Sequence, residues 1–122
     1  MQINKILTFS ILITTIGFSE ILTVPEQYSS IQAAINASND QDTVMVSPGF
    51  YQENISFNGK DIVVSSTFII DQDSLIIAST IIDGNNNGSV VEFDDGETEA
   101  AVLQGFTIQN GDGKYADPDE NG

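Results

Sequence analysis

The chain has no cysteine, no histidine, no arginine and no tryptophan, and three lysines stand against eighteen acids for a formal charge of −15. Each absence removes a class of chemistry. Without cysteine there is no disulfide, no thiolate nucleophile and no thiolate metal site. Without histidine, no serine nucleophile can be given an imidazole base, so an acyl-transfer triad cannot be assembled. Without arginine, and with so few lysines, no basic patch can meet a phosphate backbone, and nucleic acid is not an expected partner. The acidity also argues against direct pairing with an anionic polysaccharide, a contact that would need bridging cations.

A hydrophobic run long enough to cross a membrane is missing too. The apolar stretch Ile6 to Phe18 falls short of the roughly 20 residues that a spanning helix needs. It follows Lys5, and Gly17 and Ser19 place small residues three and one positions before a cut after Ser19. This is the pattern of a secretory signal peptide over residues 1–19. The expected mature protein begins at Glu20, is secreted to the extracellular space, the cell surface or the periplasm, and has no membrane span. What remains is one domain or part of one. Without cross-links, such a domain must draw its stability from a repetitive hydrogen-bonded core or from bound metal.

The patterning supplies the first of these. Val24-Pro25 opens an extended entry, and Ser29-x-x-Gln32 has capping-box spacing, so a helix is expected from about Ser30. Ile31, Ala34 and Ile35 give it one narrow apolar stripe, and Asn36 to Asp40 stop it. A helix this short needs a surface to pack on. After the acidic turn, Val44 and Val46 alternate with Thr43, Met45 and Ser47, as a strand requires. Ile55 and Phe57 repeat this after the Pro48-Gly49 corner, and Ile62 and Val64 after Asn58-Gly59. Further strands are expected at Leu75 to Ile82, Ser89 to Phe93 and Val102 to Ile108, with no second helix among them.

Many short strands between turns fit two architectures. One is a β-sandwich of hairpins. The other is a solenoid in which Val44, Ile62, Ile81 and Phe106 recur at about one coil's spacing, with Val44, Ile62 and Phe106 expected to stack in register.

The string VPEQYSSIQAAINASNDQDTVMVSPGFYQENISFNGKDIVVSS, followed by TIIDGNNNGSVVEF and LQGFTIQNG, resembles the amino-terminal end of the pectin-lyase-like superfamily. The resemblance covers about Val24 to Gly111. It implies an all-β, right-handed parallel β-helix with a short N-terminal capping α-helix. Asp42, Thr43, Val44, Val46, Pro48, Gly49, Tyr51, Glu53 and Ile55 sit where that pattern wants them. The family includes lyases, hydrolases, epimerases, adhesins and proteins with no known reaction. The resemblance therefore implies fold, with polysaccharide as the partner class, more than any one activity.

Candidate chemistry is sparse. Asp83, Asn85 and Asn87, ahead of Gly88, match the first half of a calcium loop, and Asp94 stands where its last carboxylate ligand would be. Against calcium, no helices flank the loop and Ser89 to Phe93 reads as strand. The alternative is a wide turn in which asparagines adopt left-handed backbone. Asp117, Asp119 and Asn121 open the same motif again at the chain's end, or belong to an acidic tail. Asp71 with Asp73, Asp94 with Asp95, and Glu97 with Glu99 are paired acids of the kind glycoside hydrolysis needs, or solvated turn charges. Lys60 reads as a surface charge. Tyr28, Phe50, Tyr51 and Tyr115 could stack on sugars or serve as packing.

No residue here is assigned a catalytic role. The sequence reads as residues 20–122 of a capped solenoid start, with any polysaccharide lyase or glycoside hydrolase site in coils beyond Gly122. A surface or adhesion protein and a calcium-stabilised structural solenoid are the alternatives. The segment alone is expected to aggregate or to fold only in part.

Overall fold

A computed structural model describes residues 17–113. Most of the signal-peptide pattern, Lys5, Lys114, Tyr115 and the second calcium half-motif at Asp117, Asp119 and Asn121 lie outside the described residues. Over the described residues the chain is predominantly β, with its strands in parallel sheets and three short helices between them.

The first elements are β1 (Ile21–Val24), α1 (Ile31–Ala37), β2 (Thr43–Val46), β3 (Gly49–Gln52), β4 (Ile55–Ser56) and β5 (Val63–Ser66). They are followed by α2 (Phe68–Asp71), α3 (Ser74–Ser79), β6 (Thr80–Asp83), β7 (Val91–Glu92), β8 (Val102–Gln104) and β9 (Thr107–Gln109). The sheets have the orders β1-β2-β5-β8, β3-β6-β9 and β4-β7, and every pairing is parallel. Apart from β1 and β2, which only α1 separates, neighbouring strands in a sheet are thus separated in sequence by strands of the other two sheets. The hairpins on which a sandwich would rest do not occur among the described strands.

Register explains the core. Leu22, Val44, Val64 and Leu103 are aligned across the four-stranded sheet, and in-register parallel residues share a face. Val44, Val46 and Val64 are fully buried, as are Ile55, Phe57, Ile62 and Ile82. Phe57 meets Phe93 with ring centroids 4.2 Å apart. The expected column of Val44, Ile62 and Phe106 is therefore corrected, since the partners of Val44 are Leu22 and Val64. Ile62 is buried but lies one position before β5, where its carbonyl accepts from the Val102 N–H.

Two other expectations change. Leu75 to Ile82 is not one strand: the Asp73 carboxylate accepts from the Leu75 N–H at 2.9 Å and starts α3, and only the end of the run pairs as β6. Consecutive apolar residues carry neither period, so a local cap decided between helix and strand. Val102 to Ile108 is two strands, β8 and β9, divided at Gly105, whose φ is +82°. Ser66 leaves no room for a side chain at that corner.

Helix α1 forms as expected, one residue later than the capping-box spacing suggests. Ser30 is the N-cap and accepts from the Ala33 N–H. Ile31, Ala34 and Ile35 are fully buried against β1, β2 and β4. Burying each isoleucine contributes about 1.5 to 3 kcal/mol, which is what a helix too short to stand alone requires.

Candidate functional site

The acids are the obvious candidates for chemistry, and the structure assigns several of them to backbone N–H groups. Glu53 lies between β3 and β4, and its two oxygens accept from the first N–H groups of α1, at Ile31 (2.9 Å) and Gln32 (3.0 Å). Asp42, buried in the turn before β2, accepts from Glu20 N–H at 2.8 Å and Asn39 N–H at 2.7 Å. Asp61 binds the Thr98 N–H and hydroxyl. Turns of this kind leave N–H groups without ladder partners, and a carboxylate accepting them is a charge-assisted bond. Much of the acidity of the described segment is therefore structural.

The paired acids fall under the same account. Glu97 accepts from Gly59 N–H (2.8 Å) and Asp95 N–H (2.9 Å). Burial works to raise its carboxyl pKa, and those N–H bonds outweigh it, leaving the group below its ordinary range. Asp73 is the α3 cap, while Asp71, Asp94, Asp95 and Glu99 are exposed. In two of the three pairs one carboxylate is thus taken up by backbone N–H groups, Asp73 by Leu75 and Glu97 by Gly59 and Asp95.

Lys60 is a correction to the surface-charge reading. Its ammonium donates to the carbonyls of Ile35 (2.7 Å), Asn36 (2.9 Å) and Ser38 (2.7 Å), all at the end of α1. A cation there adds a donor to the last carbonyls of the helix, of which that of Ile35 also accepts from the Ser38 N–H and hydroxyl, and complements the helix dipole. Gln32 completes the docking: its side-chain amide accepts from Ser56 N–H (2.8 Å) and donates to the Ser56 carbonyl (3.1 Å), taking the place of a strand beside β4. Neither role has a local sequence signal, because each depends on chain that returns from the next strands.

Asp83 ends β6, Asn85 and Asn87 lie on the turn that follows it, and Asp94 lies past β7, exposed to solvent. The Asp83 carboxylate is buried and already engaged. One oxygen accepts from Asn85 N–H (2.8 Å), the other from the side-chain amides of Gln109 and Asn110 (2.7 Å each). The Gln109 bond, then the Asn85 N–H, hold its pKa below the ordinary value against the opposing effect of burial, with Asn110 adding to them. Asn85 and Asn86 both have φ of +53°, the left-handed backbone of the turn reading. A cation at Asp83 would have to share oxygens that already hold the turn to β9. Among the described residues, no group of three or more Asp, Glu, His or Cys side chains is arranged to hold a metal ion.

The outer face of β3-β6-β9 is a different kind of surface. Phe50, Ile81 and Thr107 are aligned in one row, and Gln52, Asp83 and Gln109 in the next. Phe50 is 61% exposed. An exposed aromatic ring offers the apolar platform that sugar rings engage, and the exposed Gln52 and Gln109 at the two ends of the next row carry amide groups for directional bonds, although the Gln109 NH2 already donates to the buried Asp83 between them. Tyr51, by contrast, turns inward and donates its hydroxyl to the Ser47 carbonyl at 2.7 Å. Its phenol pKa is raised, first by burial and then by Glu26 and Glu53. Tyr28 packs partly buried on the core.

Compared with known protein families, curated proteins and solved structures, the chain matches none of them.

Proposed function

We propose that this chain is the amino-terminal end of an exported right-handed parallel β-helix protein that binds or processes polysaccharide, with its sugar-contacting face beginning at Phe50 and any active site in coils beyond this segment. The observation that supports the coil is the strand order. Each pass of the chain contributes strands to the separate sheets in turn, β2, β3 and β4 first and then β5, β6 and β7, with every partner parallel. Such repeats bury apolar columns only by stacking on their neighbours.

Two features support carbohydrate over a passive spacer. The Phe50 row, flanked by Gln52 and Gln109, forms an outer face that β9 carries on, and Asp42, Glu53, Asp61, Asp83 and Glu97 are already engaged by donors of the chain itself. The test is binding of the chain to neutral and acidic polysaccharides, with and without calcium as a bridging cation. The expected result is retention by at least one of them and about tenfold weaker binding for Phe50→Ala, a loss of about 1.4 kcal/mol. Failure to bind any of them, with the fold intact, would favour the non-enzymatic surface or adhesion reading.

A further inference from the structure

Glu20 is the residue that a signal-peptide cut after Ser19 would expose, and in the folded chain its backbone nitrogen lies 2.8 Å from Asp42 Oδ1. Asp42 is only 3% exposed, and its other oxygen accepts from Asn39 N–H. The surroundings of the bond are fixed on both sides. The Glu20 carbonyl accepts from Thr43 N–H at 2.9 Å, and β1 begins at the next residue, Ile21, paired with Thr43. Residues 17–20 are exposed and belong to no helix or strand, so the Ser19–Glu20 peptide bond is accessible while the strand behind it is already in its ladder.

We propose that Asp42 is a receptor for the new amino terminus, so that removal of the leader converts a neutral N–H···carboxylate bond into a buried-partner ion pair that locks β1 onto β2. The inference rests on the export reading for the position of the cut, and on the observed Asp42 geometry for its effect. The cleavage is a peptide hydrolysis: water adds to the Ser19 carbonyl, the C–N bond breaks, and the nitrogen leaves as the Glu20 α-amine, which takes up a proton at neutral pH. A carboxylate that accepts one N–H from Glu20 then faces an ammonium with three donors. The bond is charge-assisted on the acceptor side before the cut, and the ammonium adds the direct attraction of two opposite charges in contact, which depends steeply on how far water is excluded. The device also orders events, because the first strand gains its full hold only after processing.

The charges around this turn are the Glu20 side chain, Asp40 and Asp61 on the neighbouring turn, and the Lys60 ammonium on the Ser38 carbonyl. The three acids reinforce Asp42 and the lysine opposes it. The amine should therefore titrate above its ordinary range of about 7.7 to 8.0. A group with a raised folded pKa contributes fully below its unfolded value and loses its contribution as pH rises through the folded value.

The experiment compares the Glu20–Gly122 chain bearing a free amine with the same chain acetylated at Glu20. Acetylation keeps the N–H donor and removes only the charge. At neutral pH the free-amine form is expected to have a folding equilibrium constant about tenfold larger, the equivalent of one pKa unit. The advantage should vanish in Asp42→Asn and fade at alkaline pH. Equal stability of the two forms, or an advantage that persists in Asp42→Asn, overturns the ion pair. Separately, amino-terminal sequencing of the exported protein is expected to start at Glu20. A different start overturns the role of processing while leaving the stability comparison to judge the Asp42 contact alone.

Discussion

Glu53 and Lys60 hold opposite ends of one helix: the carboxylate takes the first two N–H groups of α1, and the ammonium takes three carbonyls at its end. Both come from the chain on either side of β4, the strand whose free side α1 covers through Gln32. The helix is therefore clamped along its length by the strand it protects. Exposed strand edges pair readily with other chains, so the clamp bears on solubility as well as on stability.

The clamp predicts a coupled pair of substitutions. Glu53→Ala should cost about 0.5 to 2 kcal/mol, the range for losing a helix cap. Lys60→Met, which keeps the aliphatic stem, should cost about as much, since hydrogen bonds to charged groups are worth roughly 1.5 to 3 kcal/mol and this site is partly exposed. Because α1 docks as one cooperative unit, losing either end weakens the other. Urea denaturation of the double variant should therefore show less than the sum of the single losses. Strict additivity would mean that the two ends act independently.

Gly105 and Gly88 offer a matched comparison. Their φ values are +82° and +91°, so alanine at either one incurs the backbone strain of the left-handed region, about 1 to 2 kcal/mol. At Gly88 nothing lies within 4 Å of an added Cβ, whereas at Gly105 the new atom would run into Ser66 and Phe68. Gly105→Ala should thus be the more destabilising by about 1 to 3 kcal/mol, the cost of overpacking. The difference in urea midpoint between the two variants isolates the collision from the strain.

What could be read from the residues alone was whatever repeats locally. The α1 stripe of Ile31, Ala34 and Ile35, the alternation of Val44 and Val46, and the Asn58-Gly59 turn all carry their signal within a few residues, and the structure has each of them. The register was not legible, because Val44 pairs with Val64 and Leu22 through a ladder that local pattern cannot count across. Nor were α2 and α3, whose apolar residues Ile69, Ile70 and Leu75 remain exposed and show no buried stripe. At the candidate site, the sequence singled out Asp83 and its asparagines as a possible ion loop. The partners that satisfy Asp83, Gln109 and Asn110, come from β9 and the turn after it, too distant in sequence for any motif to include.

The same bonds predict how the fold responds to acid. Asp83 and Glu97 both lie below their ordinary values of 3.8 and 4.5. A carboxylate with a depressed folded pKa contributes stability above its unfolded value and loses it as pH falls through the folded one. Melting temperature should therefore be level from neutral pH down to about the ordinary carboxylate range and drop below it. Asp83→Asn should flatten part of that drop and lower the plateau, since an amide cannot accept from three donors as a carboxylate does. Thermal melts of the two proteins across acidic pH would read both effects.

Calcium supplies the sharpest test of the Asp83 turn. If the turn is held by its own hydrogen bonds, calcium titrated into the chain should produce no rise in melting temperature, and a chelator should cause no fall. Asp83→Ala should nevertheless lower the melting temperature in both conditions, because it strands the Gln109 and Asn110 amides and the Asn85 N–H without their acceptor. An ion-binding loop behaves in the opposite way. A ligand that binds only the folded state stabilises it by about 2.7 kcal/mol at a hundred times its dissociation constant, and Asp83→Ala would erase that gain. A calcium-dependent rise in the native chain that is absent from the variant would thus return Asp83, Asn85, Asn87 and Asp94 to the role their spacing suggests.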